Sequence, residues 1–343
     1  MFTTIPAQKK MPDNVISVVF FGTPAFALPS LEALMENGYS IAAIITRPDE
    51  RAGRKKNLAS PPVKILAEHC RIPVFQPQTL DAKRFADEIP QADIFIVASY
   101  GKIIPKDILN IPRLGCLNIH PSLLPRWRGP SPIQYAILSG DRETGVSIMQ
   151  MDEIMDHGPI VAKQHAPCNM QQEIYSTLHE KLSRIGAELL IETLPKWIRG
   201  EITPRAQDDT QATYSKILTR DDGRIDWKKP ADEIERMIRA FTPWPGAWTR
   251  WQTESKILRV RIEKADWIPD MNPESAPGRV WQDAQRPLMI SSGRGSLAVK
   301  RIGVEGKKIS DALSFIRGYP LIIDTTVISH RDLCKTSFRS KHP

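Results

Sequence analysis

A nearly unbroken apolar run from Val15 to Phe21 has the pattern of a strand buried on both faces. Gly22-Thr23-Pro24 turns it into helical spacing from Ala25 to Glu36, which Asn37-Gly38 ends. Ile41 to Thr46 is the next strand, so the chain opens as a βαβ unit of a parallel sheet. The pattern then predicts a helix over Pro62–Cys70 and strands over Asp93–Ser99, Leu114–His120 and Gly145–Met151. A long helix follows over Gln171–Trp197, with Ile174, Leu178, Leu182, Ile185 and Leu189 near helical spacing. The polar stretch 199–213 reads as a linker. Beyond it a helix over Ala231–Phe241 puts Ile234, Met237, Ile238 and Phe241 on one face. Short strand-like runs then alternate with turns: Ile257–Ile262, Gly278–Trp281, Leu288–Ser291 and Ser296–Ile302. Frequent turns and β-branched residues suggest a small barrel.

One strand carries chemistry at its end. Asn118 and His120 stand at i and i+2 after the apolar run Gly115-Cys116-Leu117, so a strand there puts both on one face. The proline-rich Pro121-Ser122-Leu123-Leu124-Pro125-Arg126-Trp127-Arg128-Gly129 follows at once and cannot continue the strand. The pair thus sits where ligands bind in open α/β sheets. A neutral imidazole exchanges protons near pH 7, and an Asn amide can donate to a developing oxyanion. A third group should orient the histidine, and Asp156, in Met151-Asp152-Glu153-Ile154-Met155-Asp156-His157-Gly158-Pro159, is the candidate. Read singly, the same residues are a strand-end cap, a surface histidine and a turn aspartate. The loop and the downstream aspartate together favour an acyl-type transfer site.

Composition narrows the alternatives. At 343 residues the chain is long for one core, and 41% apolar with 25% charged residues is the balance of a soluble globular protein. No apolar run approaches a membrane span, and residues 1–14 lack a secretory apolar core, so the cytoplasm is expected. Met1 and Met11 are both open as starts. Cys70, Cys116, Cys168 and Cys334 are scattered and form no Cys-x-x-Cys, so no metal is expected and a reduced compartment fits. One glycine follows the first strand in place of Gly-x-Gly-x-x-Gly, and no Walker A sequence occurs, which argues against a nucleotide cofactor. Most of the formal charge of +8 lies beyond residue 200, together with Trp227, Trp244, Trp248, Trp251, Trp267 and Trp281. Basic charge mixed with aromatics suits a nucleic-acid surface. From composition alone, burial of most of these tryptophans in a core is the better reading.

A series of segments, in order, resembles the methionyl-tRNA formyltransferases, a branch of the formyltransferases that use 10-formyltetrahydrofolate. They are Phe20–Ala27, Arg47 through Lys64, Ser99–Pro105, Asn118–Gly129, Thr144–Asp152, Asp226-Trp227, Phe241–Trp248 and Glu305–Lys308. The resemblance implies a Rossmann-like α/β catalytic domain over 14–198, a linker over 199–213, and an OB-like, tRNA-binding β-barrel over 214–318. Residues 319–343 lie outside it and read as a strand plus a basic tail. The implied reaction moves the formyl group of 10-formyltetrahydrofolate to the methionyl α-amine of initiator Met-tRNA, with no metal, no membrane and no obligatory protein partner. Asn118, His120 and Asp156 take the catalytic roles. Ser122, Leu123, Leu124 and Pro125, with Tyr100 and Ile103, match the folate pocket. Arg51, Arg54, Lys55 and Lys56, in a basic insertion between a strand and a helix, match the loop that reaches the tRNA acceptor end. The basic loop departs from the frequent Gly-Arg-Gly-Lys-Lys at Lys55 and Asn57, Tyr135 stands where arginine is frequent, and Met155 and His157 flank Asp156 where Leu and Thr are more familiar. Three other readings stay open: a formyltransferase for a sugar nucleotide or glycinamide ribonucleotide, a folate hydrolase, and a tRNA-binding module without catalysis.

Overall fold

Continuous apolar strands need cover on both faces, and the fold supplies it by placing them at the centre of a sheet. The computed structural model describes residues 15–52, 57–269 and 275–328. Among the described residues two units emerge: one formed by 15–132, 144–167 and 179–215, the other by 133–143, 168–178 and 216–328.

In the first unit β1 (Ser17–Gly22), α1 (Leu28–Glu36) and β2 (Ser40–Ile45) form the expected βαβ opening. A hairpin of β3 (Glu50–Ala52) and β4 (Asn57–Ala59) follows, then α2 (Pro62–His69), β5 (Val74–Phe75), α3 (Ala82–Glu88), β6 (Ile94–Ala98) and α4 (Lys106–Leu109). After β7 (Cys116–His120) comes α5 (Pro132–Leu138), which falls almost wholly in the second unit; the first unit continues with β8 (Gly145–Gln150), β9 (Ile160–His165) and all but the first turn of α6 (Tyr175–Ile198). The sheet order is β5-β2-β1-β6-β7-β8-β9. The first five strands are parallel, while β8 pairs antiparallel with both β7 and β9, so the sheet is mostly rather than wholly parallel. β6 and β7 are buried throughout, as apolar runs at the sheet centre require.

Strand direction decides where the loops fall. Because β8 opposes β7, Gln150 lies across from Leu117 at the start of β7. The loop from 151 to 159 must therefore fold back over β7, toward Asn118 and His120. Close packing at the other end of β8 has no room for a side chain. A Cβ on Gly145 would lie 2.1 Å from the carbonyl oxygen of Gln164 and 2.6 Å from Leu123 Cδ2.

In the second unit α7 (Ala231–Phe241) matches the expected helix, with Ile234, Ile238 and Phe241 buried. Its strands are β10 (Ala247–Gln252), β11 (Ile257–Ile268), β12 (Val280–Trp281), β13 (Met289–Ser291), β14 (Ser296–Val304) and β15 (Ser310–Asp311). α8 (Ala312–Gly318) and β16 (Val327–Ile328) complete it. The order β12-β13-β14-β11-β10-β16 is antiparallel throughout, and β15 pairs with β14. The two ends of this order meet. Val280 N–H donates to Thr325 O at 2.8 Å, Asp324 N–H to Val280 O at 2.9 Å and Val327 N–H to Gly278 O at 2.9 Å. The sheet closes on itself as the barrel reading requires. β11 bends around it through register shifts near Lys264, the usual device for turning a strand.

Trp227, Trp248 and Trp251 are buried in this unit, Trp281 is partly buried, and Trp244 and Trp267 are half exposed, so core packing accounts for half of the tryptophan cluster. Part of the segment beyond 318 is structural too, because β16 pairs with β10. Among the described residues no helix is long and apolar enough to cross a membrane.

Gly145→Ala is expected to lower stability by about 1–3 kcal/mol, the cost of overpacking a filled site. The check is the midpoint of chemical unfolding, which should fall with an unchanged denaturant slope.

Candidate active site

Asn118 and His120 end β7 on one face, nearly inaccessible at 8% and 4% exposure. The Pro121–Gly129 loop then bends back sharply. Trp127 takes a φ of 60° and Gly129 a φ of 103°, and a Cβ on Gly129 would lie 2.5 Å from Ser215 O, so only glycine fits there. This bend brings the carbonyl oxygen of Trp127 to 2.9 Å from His120 Nε2. A carbonyl can only accept, so Nε2 carries the proton and Nδ1 is the nitrogen left to exchange one.

Nδ1 faces Asp156 Oδ1 at 3.5 Å, and Asn118 Nδ2 donates to the same oxygen at 3.4 Å. The second carboxylate oxygen accepts from the Gly129 backbone N–H at 2.8 Å. Asp156 thus joins three points: the amide, the imidazole and the loop backbone. Its φ of 50° is left-handed, a region Asp visits more readily than most residues. The three residues singled out from sequence meet in one place, and their arrangement can stabilise an oxyanion through Asn118 and move a proton at His120 Nδ1 beside a carboxylate.

Around them are groups that no motif announced. Ser147, fully buried on β8 opposite His120, accepts from Leu124 N–H at 3.0 Å and donates to Ser122 O at 2.8 Å. Lys163 on β9 donates to Leu124 O, and burial pulls its amine below the usual lysine range. Ser122 Oγ donates to Arg126 O at 2.6 Å. The signal for Ser147 was a hydroxyl inside an otherwise apolar run. His157, a departure from the family pattern, pairs with Asp152 through Nδ1 at 2.6 Å and faces Asp209 through Nε2 at 3.6 Å.

The expected folate residues divide. Ser122, Leu123, Leu124 and Pro125 flank the site, but the Leu124 side chain is fully buried, with its backbone held by Ser147 and Lys163. Tyr100 is a core residue, edge-on to Phe21, and burial pushes its phenol up to about 12. Ile103 is 76% exposed on the next turn. Ile154 and Met155 are exposed on the Asp156 loop, and Lys106 and Glu153 join these two segments by an ion pair at 2.9 Å. The basic insertion is a hairpin in which Arg51 opposes Leu58. Arg54, Lys55 and Lys56 lie outside the described residues. The base of the insertion is pinned: Lys64 Nζ donates to both Asp49 oxygens at 2.8 and 2.9 Å, and Gln76 Nε2 to Arg47 O at 2.7 Å.

Comparison with known proteins gives this geometry a context. The Formyl transferase family matches residues 15–194, and the family named Formyl transferase, C-terminal domain, matches 217–320. A methionyl-tRNA formyltransferase of Citrifermentans bemidjiense is 39% identical over 307 residues, 89% of this chain and 94% of that protein. Another, from Roseiflexus sp. (strain RS-1), is 43% identical over 310 residues, 89% of this chain and 93% of that protein. The chain belongs to the methionyl-tRNA formyltransferase family. Solved structures share the fold at lower identity. HypX from Aquifex aeolicus, in complex with tetrahydrofolic acid, has a TM-score of 0.59 at 16% identity over 88% of this chain and 47% of its own. An N-formyltransferase from Helicobacter canadensis, in complex with folinic acid and dTDP-3-aminofucose, has a TM-score of 0.60 at 20% identity over 83% and 99%. Formyl transfer follows from this membership.

Ser147→Ala should leave the Leu124 N–H and the Ser122 carbonyl buried without a partner, a loss of about 1–3 kcal/mol for such a group. Chemical unfolding of the purified variant measures it.

Proposed function

We propose that this protein transfers the formyl group of 10-formyltetrahydrofolate to the methionyl α-amine of initiator Met-tRNA. The observation that carries the reading is the convergence of Asn118, His120 and Asp156 at the end of β7. The high identity of named methionyl-tRNA formyltransferases, extending through both units, favours a tRNA acceptor over a sugar nucleotide.

The donor supplies an activated formyl carbon bound to a nitrogen leaving group. Attack by the neutral amine forms the new C–N bond and places negative charge on the formyl oxygen. Asn118 Nδ2 is the donor that meets this charge. His120 takes the proton from the ammonium at Nδ1 while Nε2–H stays on Trp127 O, and Asp156 stabilises the imidazolium that results. The same proton then goes to the departing folate nitrogen as its C–N bond breaks, which returns His120 to its starting state. The exposed apolar side chains of Ile103, Ile154 and Met155, on the two segments joined by Lys106 and Glu153, suit a flat ring system. Arg51, Arg54, Lys55 and Lys56 are assigned to the acceptor end of the tRNA.

The second unit supplies a surface for phosphates. Arg250 on β10 stands directly across from Arg259 on β11, a like-charge pairing that is unfavourable by itself. Both guanidinium groups, and that of Arg224, gather over the Trp248 ring with centroid distances of 6.0, 4.1 and 5.5 Å. Nε and one terminal nitrogen of Arg224 are buried without a hydrogen-bond partner. A polyanion relieves such crowding.

His120→Ala and Asp156→Asn should each lower turnover by about a hundredfold or more, the scale for positioned acid–base groups. Formyl-Met-tRNA formation by purified variants is the measurement, and near-normal kcat in both would remove these residues from the mechanism. Binding of tRNA should weaken steeply as salt rises, because each neutralised phosphate releases counterions, whereas folate binding should respond little. A salt titration of both ligands separates the two, and equal slopes would contradict phosphate docking.

A further inference from the structure

The stretch that reads as a linker reaches into the site. Gln207 Nε2 donates to two carbonyl oxygens of the catalytic loop, that of Asp156 at 2.9 Å and that of Gly158 at 2.8 Å. Its Oε1 accepts from Arg128 Nε at 3.0 Å. A guanidinium only donates and a carbonyl only accepts, so the orientation of the amide has one solution. Arg128 is itself 2% exposed and is held by Asp209 at 2.7 Å and by the Tyr214 hydroxyl at 3.3 Å. The amide therefore presents two hydrogens from a fixed seat.

We propose that Gln207 is a positioning residue for Asp156: by holding the carbonyls at 156 and 158 it sets the left-handed turn that aims the Asp156 carboxylate at His120, Asn118 and the Gly129 N–H. The inference rests on the reading of Asp156 as part of the active site. The loop's own bonds tie Asp152, Ile154 and His157 to one another: Ile154 N–H to Asp152 Oδ1 at 2.9 Å, His157 Nδ1 to Asp152 Oδ2 at 2.6 Å and His157 N–H to Ile154 O at 3.3 Å. The two bonds from Gln207 act at and after Asp156, where the backbone enters the left-handed region at a φ of 50°. That region is disfavoured for a residue with a Cβ and needs outside support. Held this way, the carboxylate serves Gly129 with one oxygen and the His120–Asn118 pair with the other.

Gln207→Glu separates the two roles of the side chain. It keeps an acceptor for Arg128 and nearly the same shape, but it loses both N–H donors and sets oxygen against oxygen. In the full-length protein this variant should lose tenfold to about a hundredfold in kcat, the scale for misplacing a catalytic group by a small distance, with little change in KM for either substrate. In an Asp156→Asn background the same change should cost little more, because the two residues act as one unit. Hydrogen exchange gives a readout that needs no turnover. The Gly129 amide, which donates to Asp156, should exchange faster in Gln207→Glu while the amides of β6 and β7 keep their protection. Normal kcat, full additivity with Asp156→Asn, or an unchanged Gly129 exchange rate would each overturn the proposal. If the unaltered protein forms no formyl-Met-tRNA, the functional reading fails, and the Gly129 amide still decides whether Gln207 holds Asp156.

Discussion

A single buried cation, Arg128, organises the end of the first unit that holds the candidate site. Removing a guanidinium from water is costly unless its donors are met, and here Asp209, Gln207 and Tyr214 meet them. All three acceptors come from one short segment, so satisfying the charge pins residues 207–214 against the loop after β7. Backbone bonds tighten the join. Arg128 N–H donates to Thr213 O at 2.9 Å and Ser215 N–H to Arg128 O at 2.7 Å, while Trp127 N–H donates to Thr213 Oγ1 at 2.9 Å. With the Trp127 peptide so oriented, its carbonyl meets His120, and the protonation pattern of the imidazole follows. A charge-burial requirement thus becomes a tautomer choice two steps away.

Three layers of support act on the candidate site. β7 sets Asn118 and His120 side by side, the loop from 151 to 159 folds back to bring Asp156 between them, and β8 and β9 anchor the Leu124 peptide through Ser147 and Lys163. The antiparallel edge of an otherwise parallel sheet is what places Ser147 opposite His120. The reversal of strand direction is therefore part of how the site is built.

The sequence carried the central strands and the candidate trio Asn118, His120 and Asp156 plainly, for physical reasons. β1, β2, β6 and β7 are buried on both faces, so their apolar runs stand out, and an i, i+2 pair on a strand declares a shared face. β9 was invisible because it sits at the sheet edge, with half-buried and exposed residues such as Lys163 and His165. β10 was hidden inside the Trp-Pro-Gly-Ala-Trp segment, where turn residues mask its start. The basic insertion reads as a loop but forms a short hairpin, since strands of three residues leave no periodicity to detect. Tyr100 carried a binding signature by resemblance, yet its ring belongs to the core around Phe21. Gln207 and Ser147 gave little warning because their meaning lies in partners far along the chain, and a polar residue in a polar stretch looks like any other.

The closure of the barrel has a consequence for how the chain may be handled. The segment that completes the ring, residues 324–328, lies beyond the region the family match covers, which ends at residue 320. A chain trimmed to the family boundary would lose β16 and leave its pairing partners on β10 and at residues 278–280 open. Two open sheet edges are templates for pairing between molecules. Such a trimmed protein would be prone to assemble edge to edge, so the last few residues of the ring act as the barrel's guard against self-association.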